Sequence, residues 1–166
     1  MMKNPKLYLT IIVVLAIVLS LWEYTHRTER LYNRYFKPLP NMELARWDGG
    51  ASSDLEKALY FYDMRDYDKA ATIFGIVLKD EPDNETALMY GGISYMIEGN
   101  ISLALDYFNK IGQKEGMFQQ DARWFKTLVY LKKEELDSAR TLCQEIAKEE
   151  GVYQERASEL LRKLPS

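Results

Sequence analysis

From residue 51 onward the chain is similar to itself at offsets of 34 and then 35 residues, and this self-similarity limits its fold more than any other feature. Phe61, Tyr95 and Tyr130 form one column; Ala70, Ala104 and Ala139 form a second; Val77, Ile111 and Ile146 form a third. Phe74, Phe108 and Cys143 stand between the last two columns. Each unit reads as two helices around a short turn: 54–64 with 67–79, 85–98 with 101–111, and 120–133 with 136–148. Arg65-Asp66, Gly99-Asn100 and Glu134-Glu135 occupy equivalent turns. A period of this length marks a supersecondary unit that cannot bury its own apolar face, so the copies (51–84, 85–119 and 120–152) must stack. The small column lets paired helices approach closely, and the aromatics fill the space between repeats. The expectation is an all-α solenoid. Residues 153–164 add one amphipathic helix with Ala157, Leu160, Leu161 and Leu164 on one side, suited to covering the last repeat, so 153–166 is read as a cap.

These columns resemble the tetratricopeptide repeat family, a helix-turn-helix of about 34 residues with an aromatic in its first helix and an Ala in its second. The first copy carries Phe61, Asp66-Tyr67, Ala70, Phe74, Leu78 and Pro82 at the family spacing, and the second adds Gly92, Tyr95, Gly99, Ala104 and Phe108. The third departs from it, with Thr127 at the small position, Cys143 at the aromatic one and Gly151 in place of the Pro. The resemblance implies a superhelical array whose concave side, built by the first helix of each pair, binds protein partners. Counted on each copy, that side holds Leu55, Leu59 and Tyr62; Met89, Tyr90, Ile93 and Met96; and Trp124, Phe125 and Leu128. Relatives that clamp a C-terminal carboxylate place Lys, Asn and Arg there. This apolar lining instead suits an apolar segment or helix. The alternative is that the stripe is covered from within, by the connector around residues 35–47 or by the final helix.

Ahead of the repeats, residues 7–22 carry no charge and are fully apolar from 11 to 19. As a helix they span about 24 Å, just short of the hydrocarbon core of about 30 Å, with Lys6 and Tyr24 at the two interfaces. A cleaved signal peptide also begins with a short basic stretch and an apolar core. Residues 20–24, however, lack the pair of small residues a peptidase needs, which favours an uncleaved anchor over residues 1–22. The amino terminus, Lys3 and Lys6 before the segment nearly balance Arg27, Arg30, Arg34 and Lys37 after it, so charge does not orient the anchor.

The connector, 23–50, begins without Pro or Gly and sets Leu31, Tyr32, Tyr35 and Phe36 on one helical face, so the anchor helix is expected to continue out of the bilayer. Pro38 and Pro40 end it, and 48–53 form a Gly- and Ser-rich hinge. The connector sequence LYNRYFKPLPN is similar to that of small bacterial membrane-bound tetratricopeptide proteins, which implies a single-pass protein of the cytoplasmic membrane with its repeats in the periplasm.

Composition removes most chemistry. One His and one Cys are too few for multi-ligand zinc sites, disulfide frameworks or Cys-His nucleophile pairs. Phosphate loops and hydrolase or metalloprotease signatures are not found. Acidic pairs such as Asp66 with Asp68 fall where helix N-termini need caps, and capping also accounts for the sequon-like Asn84 and Asn100. Cys143 falls in a packed column and reads as an inert buried thiol, and His26 as a solvated interfacial side chain. Residues 1–50 hold seven Lys or Arg against four acids, and 51–166 hold fifteen against twenty-one, which argues against nucleic acid as a partner. Neither a reaction nor a cofactor or metal is expected. The expected function is a membrane-anchored scaffold that docks a protein partner in its apolar groove; the alternative is an accessory subunit of a larger membrane complex, contacting it through the anchor and connector.

Overall fold

The computed structural model describes residues 5–41, 53–111 and 116–165, apart from the side chains of residues 5, 24 and 25. Eight helices account for nearly all of it: α1 (Pro5–Tyr35), α2 (Asp54–Asp63), α3 (Tyr67–Asp80), α4 (Glu85–Ile97), α5 (Ile101–Ile111), α6 (Gln119–Lys132), α7 (Leu136–Lys148) and α8 (Gln154–Lys163). Consecutive helices from α2 onward pack as hairpins, and α2, α4 and α6 line up side by side as the first helices of the three pairs. Most of the expected hinge, 48–52, lies outside the described residues, as do Trp47 and the chain's first four residues.

Local chemistry sets the helix ends. Ser53 caps α2 through a reciprocal box: its hydroxyl accepts the Glu56 amide at 3.3 Å, while the Glu56 carboxylate accepts the Ser53 amide at 2.9 Å. Asp66 caps α3 and Asn84 caps α4, so both do the structural work assigned to them in the sequence. Each first helix ends in the same left-handed turn, with φ of 60° at Arg65, 82° at Gly99 and 61° at Glu134. The amides of Arg65 and Asp66 then donate to the carbonyls of Tyr62 and Phe61, those of Gly99 and Asn100 to Met96 and Tyr95, and those of Glu134 and Glu135 to Leu131 and Tyr130. That paired pattern satisfies carbonyls the helix end would otherwise leave free. The aromatic column Phe61, Tyr95 and Tyr130 is thus the position whose carbonyl closes the turn.

The packing columns behave as their residue types require. Ala70, Ala104 and Ala139 are fully buried, as are Phe74, Phe108 and Cys143. Burial pushes the Cys143 thiol up to about 12, so it stays protonated and inert at neutral pH. A Cβ on Gly92 would stand 2.6 Å from the enclosed ring of Phe108, which explains a glycine in mid-helix. The third pair keeps the geometry despite its departures. Thr127 folds its hydroxyl back onto the Arg123 carbonyl at 3.0 Å, so a small polar side chain is buried without an orphaned donor. α8 covers α7 with Ala157 and Leu160, as a terminal helix must.

α1 has two unlike parts. Leu9, Ile12, Leu19 and Trp22 are 57–64% exposed, along with the rest of its apolar first half. Among the described residues α1 alone is long and apolar enough to cross a membrane, over Lys6–Tyr35. Its last turns do the opposite: Thr28, Leu31, Tyr32 and Tyr35 are buried, and the apolar three join the same hydrophobic core as the repeats.

Candidate protein-interaction groove

The ten residues expected to line the concave face do lie together, on α2 (Leu55, Leu59, Tyr62), α4 (Met89, Tyr90, Ile93, Met96) and α6 (Trp124, Phe125, Leu128). They do not form an open surface. Leu55 is partly buried and the other nine are no more than 4% exposed. The end of α1 and the segment after it lie against this face, with α8 closing one end, which is the internal cover given above as the alternative.

The occupant crosses the helices in sequence. Near α8 and α6, the Arg27 guanidinium donates to the Lys163 carbonyl at 3.0 Å, and Glu29 pairs with Lys132 at 3.7 Å. Lys132 also stands 5.0 Å over the Tyr32 ring. Tyr35 then meets Trp124 edge-on at 6.2 Å, and Phe36 meets Phe125 edge-on at 6.1 Å, the geometry that sets a ring's positive edge on its neighbour's negative face. Both Trp124 and Phe125 are used. Trp124 stacks on Tyr153 from the turn before α8, and Phe125 stacks on Phe108 of the preceding pair.

Past Phe36 the chain is extended, because Pro38 and Pro40 lack amide donors and disfavour helix. Carbonyls there have no helical partner, and the groove supplies donors. Tyr62 donates to the Leu39 carbonyl at 2.8 Å, and Tyr90 donates to the Pro40 carbonyl at 3.1 Å. Asn41 closes the run by donating to Asp63 at 2.9 Å. The Tyr62 hydroxyl is held protonated well above its ordinary range, first by burial and then by its Tyr67, Tyr90 and Asp63 neighbours, so it remains a donor at any physiological pH. Tyr62 and Tyr90 meet edge-on at 5.0 Å, and Tyr90 meets Phe118 in the same way at 5.9 Å. The tyrosines thus combine an apolar body for the floor with a polar tip for a proline-bound backbone.

This is the geometry of a helical array gripping an apolar helix and its extended continuation. The tetratricopeptide repeat family model matches residues 55–118. Residues 55–118 are thus similar to tetratricopeptide repeats. The match takes in most of the first two tetratricopeptide copies; α6 and α7 make the third by repeating the left-handed turn at Glu134 and the buried Ala139. No curated protein and no solved structure matches the chain. Tetratricopeptide repeats are protein-interaction modules, and in this one the surface such modules use holds part of the chain itself. No cluster of three or more potential metal ligands occurs among the described residues.

The aromatic face of the connector and the apolar face of the repeats were both readable in the sequence. The donors on Tyr62 and Tyr90 were not. Their signal was a pair of tyrosines on an apolar stripe together with a proline-flanked segment elsewhere, each supplying what the other lacked.

Proposed function

We propose that the chain is a single-pass scaffold of a bacterial cytoplasmic membrane, with 1–22 as tail and anchor and 23–50 as connector. Residues 51–152 are its repeats and 153–166 its cap, on the periplasmic side. The observation that carries this reading is α1: one helix that is apolar and exposed over 7–22 and buried against the repeats through Thr28, Leu31, Tyr32 and Tyr35. Exposed apolar surface on that scale is costly in water and stable in lipid, whereas the buried end ties the repeat domain to the anchor. The periplasmic side rests on the resemblance of the connector. A reporter enzyme active only in the periplasm, fused after Ser166, is expected to be active; a well-expressed but silent fusion would reverse the orientation.

The scaffold's ligand class is the one its groove already holds, an apolar helical segment. A protein partner of that class reaches Leu59, Tyr62, Tyr90 or Phe125 by replacing residues 31–41. The filled groove also favours a second reading, an accessory subunit whose contacts to a membrane complex run along the outside of α1. Co-purification from mild detergent separates the two. With Phe36→Ala, which loosens the occupant, a partner that uses the groove is recovered in greater amount than with the wild type. Recovery that is unchanged by Phe36→Ala but lost when residues 7–22 are exchanged for an unrelated anchor would assign the contacts to α1.

A further inference from the structure

Charge on this molecule is polarised along the anchor axis. Residues 23–37 and 154–163 together hold seven Lys or Arg against four acids, whereas 53–153 hold twelve against nineteen. The fold joins the two basic stretches. Arg27 donates to the Lys163 carbonyl at 3.0 Å and Arg140 donates to the Pro165 carbonyl, so the end of α8 is fixed beside α1 from both sides. Arg27 lies five residues beyond Trp22, a rise of about 7.5 Å, which is the depth of the headgroup layer outside the hydrocarbon core.

Two of the four acids in this collar are engaged internally. Glu29 pairs with Lys132, and Glu159 pairs with Arg34 at 3.5 Å and with Lys163. Arg30, Lys37 and Arg162 are exposed and make no ion pair among the described residues. Arg27, Arg30 and Arg34 are spaced by three and four residues and so form one stripe, away from the buried face of Leu31, Tyr32 and Tyr35. Arg30 lies about 4.5 Å further out than Arg27 and its long side chain reaches back to headgroup depth, where guanidinium groups match phosphodiester anions, which accept paired N–H donors.

We infer that this collar, formed by the end of α1 and the end of α8, binds the headgroups of anionic phospholipids and thereby sets how the repeat domain stands on the bilayer. The inference rests on the membrane reading above. It is tested on the full chain in neutral detergent, by native mass spectrometry with equal amounts of phosphatidylglycerol and phosphatidylcholine. The wild type is expected to retain phosphatidylglycerol severalfold over phosphatidylcholine, with a preference that weakens as salt is raised. Arg30→Gln, Lys37→Gln and Arg162→Gln together are expected to bring the ratio to parity while the melting temperature stays unchanged. Equal retention of both lipids by the wild type, or a preference that survives in the triple variant, would overturn the inference. Displacement of the lipid by millimolar inorganic phosphate would also overturn it, by assigning the site to free phosphate. A chain that stays monodisperse without detergent and retains neither lipid would overturn the membrane reading itself.

Discussion

Tyr90→Asp is expected to unfold the repeat domain. Tyr90 is 2% exposed, lies among Tyr62, Phe74 and Phe118, and donates its hydroxyl to the Pro40 carbonyl. The substitution removes a buried ring, a loss of about 3–5 kcal/mol by analogy with Phe→Ala in cores. It also puts a carboxylate into an apolar enclosure, and either the charge or its neutralisation adds to that cost. A total above about 4 kcal/mol is comparable with the whole stability of many domains. Thermal unfolding followed by circular dichroism in detergent should show a melting temperature lower by more than about 10 °C, or no cooperative transition. A shift below about 2 °C would mean that Tyr90 faces solvent and that the groove is open.

The second large effect comes from the occupant rather than the floor. Tyr35→Ala with Phe36→Ala removes the two rings that meet Trp124 and Phe125, and leaves these floor residues of α6 facing water. Truncating one buried aromatic costs about 3–5 kcal/mol; Phe36 is only partly buried, so the pair is expected to cost less than twice that. The expected signature has two parts: a melting temperature well below that of the wild type, and more binding of a hydrophobic dye than the wild type shows in the same detergent. Secondary structure should persist at low temperature, because the helix caps, the left-handed turns and the columns of the hairpins are untouched. Wild-type melting and dye binding in the double variant would show that residues 35 and 36 contribute nothing to the fold.

The repeat architecture was legible because its cause is periodic. Small residues at 70, 104 and 139 and aromatic or sulfur side chains at 74, 108 and 143 are demanded by helix approach, and such demands recur with the repeat. Even the third copy, with Thr127 and Cys143, keeps the pattern because both side chains are compatible with burial, one through a bond to its own helix and the other as a small apolar group. The lining of the concave face was legible for the same reason. What fills it was not, since periodicity shows that a face is apolar without showing what covers it. Connector and groove meet through contacts that have no period: an Arg on α1 to the last carbonyl of α8, and two tyrosine hydroxyls to carbonyls beside prolines. Only the folded chain brings those groups together.

In physical terms, the array holds an apolar helix as its residues imply, and the helix it holds is continuous with the proposed anchor. Partner access and domain orientation then depend on one contact, between residues 31–41 and the floor made by α2, α4 and α6.

That contact can be measured directly. Asn41, half-buried, and the exposed Asp63 are hydrogen-bonded at 2.9 Å across it, and the native Cys143 is fully buried. Asn41→Cys with Asp63→Cys, in the full chain in native membranes, should be joined within one chain by a short bifunctional thiol reagent in nearly all molecules. Two cysteines that each react with a monofunctional reagent yet give no intramolecular link would contradict the account, because the groove would then be free of its own connector.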